Sequence, residues 1–387
     1  MRRTAVIVFL GLSSLSVSAQ SLNLSGYLKD MQGLYYLETP VNLNGRNLDL
    51  TTYNLVHHRL NLDWQPNKAL HFVAGMRNRL MSGPLLKDVS QYPAMFERDN
   101  GWMDLSWNLA TKAGWFLNTT FDRLYVDYTW GAFQMKLGRQ RINWGVSLVW
   151  NPNDLFNAFS FTDFDYEERP GSDALLFTWY TTGSSSLDLV AQTDSNRSLT
   201  LAGRYAFNWH NWDMQLIAGK MADDAVVGGG FSGALGSVSI RGEGTVFMAI
   251  NQTSSTAVSA TLSADKNLEN NLFLHTAYLF NSLGGSGMGG LSMLNPTYQL
   301  SAKRLSMGKH ELFAQASYPL NPILNISGAC LFNPEDGSAY VSPNLSISLH
   351  DNLELLLTAQ CLLGEPGSEY GFLGNTWAGF ARLKWSY

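Results

Sequence analysis

The sequence predicts an all-β fold, an antiparallel transmembrane β-barrel of about 16–18 strands with a long loop associated with its lumen. Three observations support this prediction. Segments of about ten residues alternate in polarity and are joined by tight turns. Trp and Tyr collect near the ends of these segments. After the N-terminal leader no run of about 18 apolar residues occurs, so the sequence excludes transmembrane helices.

The first segment, residues 1–19, has the layout of a secretory signal peptide. Arg2 and Arg3 precede an apolar run, and small residues close it before Gln20. The run is too short to span a bilayer, which takes about 20 residues; a buried N-terminal helix is the alternative. We therefore expect residues 20–387 to form one barrel domain. Loss of the two arginines shifts the formal net charge from -5 to -7, which argues against a nucleic-acid partner.

The rest of the chain repeats a strand, a tight turn, a second strand and a longer loop. Leu199–Trp209, for example, turns at His210-Asn211 into Trp212–Lys220. This is the rhythm of an antiparallel meander. The number of predicted strands is odd, although a single-chain bacterial barrel has an even number. One hairpin is therefore split or merged, and the doubtful places are residues 103–116, 307–310 and 319–322.

Aromatic residues near the strand ends indicate that the apolar face of the strands contacts lipid and not a protein core. They are Tyr35, Tyr36, Tyr128, Trp130, Trp144, Trp150, Trp179, Tyr180, Trp209, Trp212, Trp385 and Tyr387. Trp and Tyr form girdles at both interfaces of membrane barrels. The alternative is a periplasmic or secreted β-sandwich, because alternation alone does not separate lipid from a core.

The chain ends in a strand-like run in which Leu383, Trp385 and Tyr387 share one face. In this it resembles Gram-negative outer-membrane barrels, whose last strand ends in an aromatic residue that the barrel-insertion machinery reads. The resemblance implies localisation in a bacterial outer membrane. Outer-membrane lipid and, during insertion, the barrel-assembly machinery are then the expected partners.

Alternate residues of a strand point to opposite faces of the wall. If the apolar set faces lipid, the charged set faces the lumen, because a charge on the lipid face costs about 2–4 kcal/mol at the midplane. The predicted pore-lining residues are Arg59, Arg77, Arg79, Arg123, Asp127, Arg204, Arg241 and Glu243. The four N-terminal arginines would form a basic ladder, which favours anions. In the alternative reading the charges solvate the wall and pair with one another, as Arg123 with Asp127 or Arg241 with Glu243.

The segment from Leu137 to Asp173 starts as a strand and then loses its alternation. Loops of this length are functional or disordered, and the Phe, Trp and Tyr content argues against disorder. We predict that residues 145–173 narrow the pore; an ordered surface loop packed on its own aromatics is the alternative. The charged residues assigned to this constriction are Arg139, Arg141, Asp154, Asp163, Asp165, Glu167 and Glu168.

The same segment carries Gly138-Arg139-Gln140, Asn143-Trp144-Gly145 and Asn151-Pro152-Asn153-Asp154. These runs resemble porin-like barrels of the alginate-export type, in which a similar sequence precedes a loop that enters the lumen. The resemblance implies that Arg139 and Arg141 lie at the mouth of the strand and Asp154 in the loop. Alternation along this strand places the Arg139 side chain on the lipid face. Either a bulge at Gly138 therefore turns it inward, or it lies above the hydrocarbon region of the membrane. The acidic loop argues against alginate itself as the solute.

The function predicted from these features is a porin-like channel for passive diffusion of small hydrophilic solutes, anions included if the arginine ladder governs. A structural or accessory barrel in surface polysaccharide export or secretion is the alternative, and an outer-membrane hydrolase is less favoured. The seven His are scattered and no nucleophile–base constellation is recognisable, so we expect no enzyme, cofactor or metal. Cys330 and Cys361 are interpreted as small apolar strand residues, with one bridge between them left open. The sequence carries no signal for an oligomeric state.

Overall fold

The computed structural model describes residues 21–43, 46–158, 161–162, 165, 169, 171–251, 255–285 and 301–387. The predicted signal peptide, residues 1–19, lies outside the described residues, as do Asp163, Glu167 and Glu168 of the predicted constriction. In the described part of the chain, no helix has the length and apolar character that a membrane crossing needs.

Nineteen strands and two short helices make up the described residues. The first half of the chain contains β1 (Ser21–Leu43), β2 (Arg46–Gln65), β3 (Leu70–Ser82), α1 (Leu85–Asp88), α2 (Tyr92–Glu97), β4 (Ser106–Lys112), β5 (Trp115–Trp130), β6 (Phe133–Gln140), β7 (Ser172–Thr182), β8 (Ser185–Thr193) and β9 (Leu199–Trp209). The second half contains β10 (Trp212–Met221), β11 (Asp224–Leu235), β12 (Val238–Ala249), β13 (Ala257–Asn267), β14 (Phe273–Asn281), β15 (His310–Asn321), β16 (Leu324–Phe332), β17 (Ala339–His350), β18 (Leu353–Leu363) and β19 (Thr376–Ser386).

Eighteen of these strands form a closed antiparallel barrel, which confirms the predicted fold class. Each wall strand pairs with its neighbours in sequence, and β1 pairs with both β2 and β19. The nineteenth strand, β4, pairs with β5 in the described sheet and does not separate β5 from β3. It lies within residues 103–116, one of the places where the sequence parse was doubtful. Because β4 is an addition to the wall, the odd strand count and the even barrel agree.

Turn chemistry explains why the two barrel ends differ. At the end that holds both termini, strands are joined by tight turns such as His210-Asn211, where both residues have positive φ (49° and 65°). Asn and His tolerate this region better than β-branched residues do. The opposite end carries the long connections, chiefly residues 83–114, 141–171 and 282–309. Short periplasmic turns and longer extracellular loops are typical of outer-membrane barrels.

Polar and apolar side chains separate to the two faces of the wall as the alternation predicts. In β2, Thr51, His57 and Arg59 are buried inside, whereas Leu50 and Leu62 are exposed on the outside. The same alternation continues around the wall. The outer face is therefore apolar and the inner face carries the charges, an arrangement that suits a barrel in lipid.

Three apolar clusters inside the barrel show that the long connections fold inward. One joins Trp144 and Leu155 to wall residues of β7 to β13. A second joins Trp150 to Phe313 and its neighbours on β14 to β17. A third packs α1 and α2 against β1, β2, β3, β5 and β19. The prediction that Trp144 and Trp150 belong to an interfacial girdle is therefore wrong, because both are buried within the lumen.

The C-terminal aromatic residue closes the barrel seam. Tyr387 exchanges two backbone hydrogen bonds with Gly26, each 3.0 Å long. Its hydroxyl reaches across β1 to donate to the Arg59 carbonyl at 3.2 Å. A side chain at position 26 would collide with that carbonyl and with the Tyr387 ring, so only glycine leaves room for this crossing.

The two cysteines are free. Cys330 on β16 and Cys361 on β18 both pair with Val341 of the intervening strand β17. They are therefore two strand spacings apart, about 9–10 Å. That separation exceeds the reach of a disulfide.

Candidate functional site: the lumen and its internal loop

The central feature of the lumen is the connection between β6 and β7, residues 141–171, which we call the belt loop. It leaves the wall after Gln140 and meets strand after strand of the inner wall in order. Trp144 meets β10, residues 146–153 meet β11 and β12, Phe161 meets β15, and Thr162 meets β18. Asp165 then meets β19 and β1, and Arg169 meets β5. The described residues of the belt loop thus contact the wall at points around most of its circumference.

The first half of the belt loop is held by a wall carboxylate. Glu243 of β12 accepts the backbone N–H groups of Val146 and Ser147, each at 2.5 Å, and that of Asn153 at 3.1 Å. Thr245, two residues farther along β12, donates to the Pro152 carbonyl at 2.9 Å. A buried carboxylate is stabilised when several N–H donors surround it, so Glu243 acts as a loop anchor here.

Asp154 lies at the turn that follows and is fully buried. Its nearest opposite charge is the Arg169 guanidinium at 3.5 Å, and its Oδ1 atom has no hydrogen-bond partner among the described groups. Burial is the main reason that the pKa of the Asp154 carboxyl is raised to about 7; Arg169 and Arg141 act to lower the pKa, and the Glu243 charge acts to raise it. The predicted constriction residue Arg141 is exposed.

The second half of the belt loop is held by ion pairs. Asp165 Oδ1 lies 2.7 Å from Lys29 Nζ on β1 and 3.3 Å from an Arg382 nitrogen on β19. Arg123 of β5 donates to the Arg169 carbonyl at 2.8 Å. Gln360 of β18 donates to the Thr162 carbonyl at 2.8 Å. This half of the loop lies against the most basic part of the wall.

An acidic residue, Asp122, lies among the arginines of the predicted basic ladder, although simple alternation along β5 places its side chain on the lipid face. Arg59, only 2% exposed, makes two hydrogen bonds of 2.8 and 3.1 Å with Asp122. Asp122 also lies 3.4 Å from Arg77. The pairing of β3 with β5 shifts between Gly75 and Met76, and Asp122 is the extra residue. A bulge adds one residue and so turns a side chain inward that simple alternation places outside.

The other two ladder arginines lie near neutral acceptors. Arg79 donates to Asn118 at 2.8 Å and to Thr120 at 3.1 Å, and its guanidinium stacks on the Phe96 ring at 4.8 Å. Arg123 donates to the Asp122 carbonyl at 2.7 Å as well as to Arg169. The side chains of all four ladder arginines therefore face the lumen. Their role in permeation stays a prediction.

The remaining predicted pore-lining residues also face inward, but they pair differently from the suggested partners. Asp127 accepts from Gln134 and lies 3.5 Å from Lys136, rather than pairing with Arg123. Arg204 binds Asp188 at 2.6 Å. Arg241 pairs with Asp265 on β13, which leaves Glu243 for the belt loop.

The Arg139 side chain points to the lipid-facing side of β6 and is nevertheless buried. The register of β6 with both neighbours is unbroken, so no bulge at Gly138 turns Arg139 inward, although Gly138 has φ +122°. Its guanidinium binds Asp99 at 2.6 Å and Asp173 at 2.7 Å, and donates to the Met103 carbonyl at 2.6 Å. The connection before β4 covers this arginine, so it braces the wall where β6 ends.

A second polar cluster joins three long connections at the same end of the barrel. The Glu311 and Glu369 carboxyl groups both lie within hydrogen-bond distance of the Ser306 hydroxyl, at 3.1 and 2.7 Å. That hydroxyl has only one proton and two neighbouring carboxylates repel each other, so one carboxyl of the pair is expected to be protonated. The Tyr370 hydroxyl donates to Glu311 at 3.1 Å. This cluster is not recognisable from the sequence, because its members are far apart in the chain and match no motif.

Across the described ranges, no group of three or more His, Cys, Asp or Glu is arranged to hold a metal ion. The C-terminal residues Leu383, Trp385 and Tyr387 are partly exposed on the outer face. That position leaves them accessible from outside the wall; recognition by assembly machinery stays a prediction.

No protein-family model matches this sequence, and no curated protein matches it significantly. Solved structures do match. OpdL of Pseudomonas aeruginosa superposes with a TM-score of 0.59 at 8% identity, covering 95% of this chain and 99% of that chain. OccK5 (OpdH) of the same organism gives 0.58 at 8% identity, with coverages of 94% and 98%. OccAB1 of Acinetobacter baumannii gives 0.55 at 11% identity, with coverages of 97% and 99%.

These neighbours are outer-membrane porins, and the comparisons give no support to a resemblance to alginate-export barrels. At this level of identity the likeness establishes the fold and not the solute. The match extends over nearly the full length of both chains. This chain therefore has the fold of Gram-negative outer-membrane porins.

Proposed function

We propose that the protein is a channel of the bacterial outer membrane through which small hydrophilic solutes diffuse passively, with a preference for anions. It is not expected to be an enzyme. The observation that carries this proposal is the course of the belt loop, which stays on the inner wall from β10 around to β5. A loop fastened to the wall at successive strands narrows a lumen and leaves its axis to the solute.

The charge of the wall supports the preference for anions. Around the second half of the belt loop, Lys29, Arg77, Arg79, Arg123 and Arg382 face inward together with Arg59. Among the described residues, the carboxylates that contact this group include Asp122, Asp165 and Glu354. Six inward-facing cations lie on this side of the wall, and rings of Arg and Lys favour anionic solutes.

The apolar clusters indicate where the water path runs. The first half of the belt loop is buried against β7 to β17 through Trp144, Trp150, Leu155 and Phe161. A solute cannot pass through that packed interface, because protein cores are close-packed. The path therefore lies beside the basic wall formed by β18, β19, β1 and the strands up to β5, nearer the termini than the cluster in which α1 and α2 pack.

The test is single-channel recording of the refolded protein in a planar bilayer, at two salt concentrations and across a salt gradient. We expect steady ohmic steps and a reversal potential of the sign that anion selectivity gives. The matched variant lacks Asn151 to Glu168 and should conduct more and select less.

Two results would contradict the proposal in different ways. Conduction only after that deletion would mean that the belt loop plugs the barrel. Silence of both proteins would favour an accessory barrel without a channel, the alternative to which the inward-folded connections lend some support.

A further inference from the structure

A small polar patch interrupts the apolar outer face of the barrel beside the line where β1 meets β19. It consists of Asp30 and Gln32 on β1 and Asn54 on β2, and we call it the outer patch. Asp30 and Gln32 are exposed on the outside of β1, because Lys29 and Met31, which alternate with them, are buried inside. Asn54 lies directly opposite Gln32 in the register of the two strands.

The register places the outer patch at the level of the lipid hydrocarbon. On β19, Trp377 and Trp385 face outward near the two ends of the strand, and each is 45% exposed. The β19 residues opposite Asp30 and Gln32 lie between these two rings. Outward-facing Trp marks the two interfaces of a membrane barrel, and a charge on the lipid face between them destabilises the barrel.

The hydrogen bonds within the outer patch leave part of its capacity unused. Asn54 donates to Asp30 Oδ1 at 2.5 Å, and Gln32 donates to Asp30 Oδ2 at 3.3 Å. Among the described residues, no Lys or Arg forms an ion pair with Asp30. Each amide keeps a second N–H group and a carbonyl oxygen, and lipid hydrocarbon offers no partner to either.

Another outward-facing pair of charges shows how this chain covers such groups. Arg139 and Asp173 point outward from β6 and β7, and the connection before β4 buries both through hydrogen bonds to the backbone of Met103. No segment of the described chain lies over Asp30 and Gln32 in this way, since both are exposed. The cover of the outer patch is therefore expected from a second molecule in the membrane.

The surroundings of the outer patch suit close contact with another protein. Leu28, Leu34 and Leu383 border it and are 42–45% exposed, so they form an apolar rim around a polar centre. Gly379 lies opposite Leu34, and a Cβ atom at Gly379 would meet nothing within 4 Å. In membranes, small residues let two backbones approach closely, and polar side chains then hydrogen-bond across the contact.

We propose that a second copy of this chain covers the outer patch, so that two barrels associate side by side in the membrane. The patch is self-complementary, because Asp30 accepts hydrogen bonds and the two amides both donate and accept them. In a contact with twofold symmetry, Gln32 and Asn54 of each copy donate to Asp30 of the other. This contact goes beyond the proposed channel and does not depend on conduction.

The test measures energy transfer between donor-labelled and acceptor-labelled copies of the protein in liposomes, over a series of decreasing protein-to-lipid ratios. The wild type should dimerise, and Asp30→Leu should weaken dimerisation about tenfold, because a symmetric contact loses the carboxylate twice. Lys266→Leu is the matched control. It removes an outward-facing charge from β13, far from β1 in the sheet, and should change dimerisation less than about twofold.

A second pair of variants tests the close approach without touching a polar group. Gly379→Leu keeps every hydrogen bond of the outer patch and fills the space beside it, so dimerisation should weaken at least tenfold, to about the level of Asp30→Leu or below. Gly328→Leu is its control, because a Cβ atom at Gly328 of β16 also meets nothing within 4 Å. It should dimerise as the wild type does.

Three results would overturn the proposal. A wild type that stays monomeric at every ratio would mean that lipid or a different protein covers the outer patch. Equal weakening by the test variants and their controls would place the contact elsewhere on the wall. In dilute detergent, where the chain is monomeric, Asp30→Leu should unfold at the same or a higher guanidinium concentration than the wild type, since a charge leaves the lipid face. A lower midpoint would show that Asp30 supports its own barrel instead.

Discussion

The two sides of the lumen hold the same loop by different means. From β7 to β17 the wall holds the belt loop by apolar packing and by neutral N–H donors around the single carboxylate of Glu243. From β18 through β1 to β5 the wall holds it by the ion pairs of Asp165 and by hydrogen bonds to the Thr162 and Arg169 carbonyls. We call the first the dry side and the second the charged side, and we expect the first to fix the loop and the second to face the solute.

The largest expected effect comes from the charged side, through Asp122→Asn. Arg59 is buried and its bidentate partner would be lost, and an uncompensated buried charge costs about 3–5 kcal/mol. The midpoint of guanidinium unfolding in detergent should fall accordingly, and anion selectivity should rise because Arg59 and Arg77 lose their shared carboxylate.

Asp63→Asn is the control for that variant. Asp63 pairs with His71 on the same wall, but the two side chains are 48% and 30% exposed. Exposed pairs contribute about 0–1 kcal/mol, so the midpoint should move little. Equal shifts in the two variants would show that the Arg59–Asp122 pair is not a buried support of the wall.

On the dry side the largest effect is expected from Glu243→Gln. The variant replaces a charged acceptor of three N–H groups by a neutral amide, which should weaken this anchor by about 2 kcal/mol. The Val146, Ser147 and Asn153 amides should then exchange hydrogen about thirtyfold faster, as mass spectrometry of the peptide would show. Glu354→Gln, which alters a carboxylate of the charged side, should leave these three amides unchanged.

The wall of the barrel was predictable, and much of the loop anchoring was not. Strands Leu199–Trp209 and Trp212–Met221 agree with the prediction to within one residue, because alternation and the His-Asn turn determine both register and length. Asp122 was missed because parity counting fails at a bulge. Trp144 and Trp150 were assigned to a girdle because composition does not tell an interface from a lumen cluster.

The pH dependence of the belt loop offers a smaller effect, located where its two halves meet. The pKa of Asp154 is raised to about 7, from 3.8. A raised carboxyl pKa stabilises the folded loop most at low pH, and this contribution is lost as the pH rises toward 7. Flicker of the open channel should therefore increase between about pH 4 and 7 and level off above that.

Asp154→Asn should remove this pH dependence and leave the channel as quiet at pH 8 as the wild type is at or below about pH 4. Asp127→Asn keeps Asp154 and should keep the profile. The other charged groups near Asp154 are Arg169 and Arg141, which lower its pKa, and Glu243, which raises it. A flat profile in the wild type would show that the loop does not respond to Asp154.

The smallest effect is expected from Glu311→Gln, in the carboxyl pair of the dry side. Glu369 accepts the N–H groups of Met307 and Gly308 and the Asn333 amide, so it carries the negative charge. Glu311 must then carry the shared proton and donate it. A glutamine amide donates in the same way, so Glu311→Gln should change the free energy of unfolding by less than about 0.5 kcal/mol.

Glu369→Gln sets an amide against those three donors and should cost about 1.5–3 kcal/mol, measured by the same guanidinium titration. The ratio of the two effects is the informative quantity, because it assigns the proton to one side chain. If Glu311→Gln proves the more damaging variant, the charge belongs to Glu311. The buried anion of the dry side would then be held by the hydroxyl groups of Ser306 and Tyr370 and not by the backbone N–H groups of Met307 and Gly308.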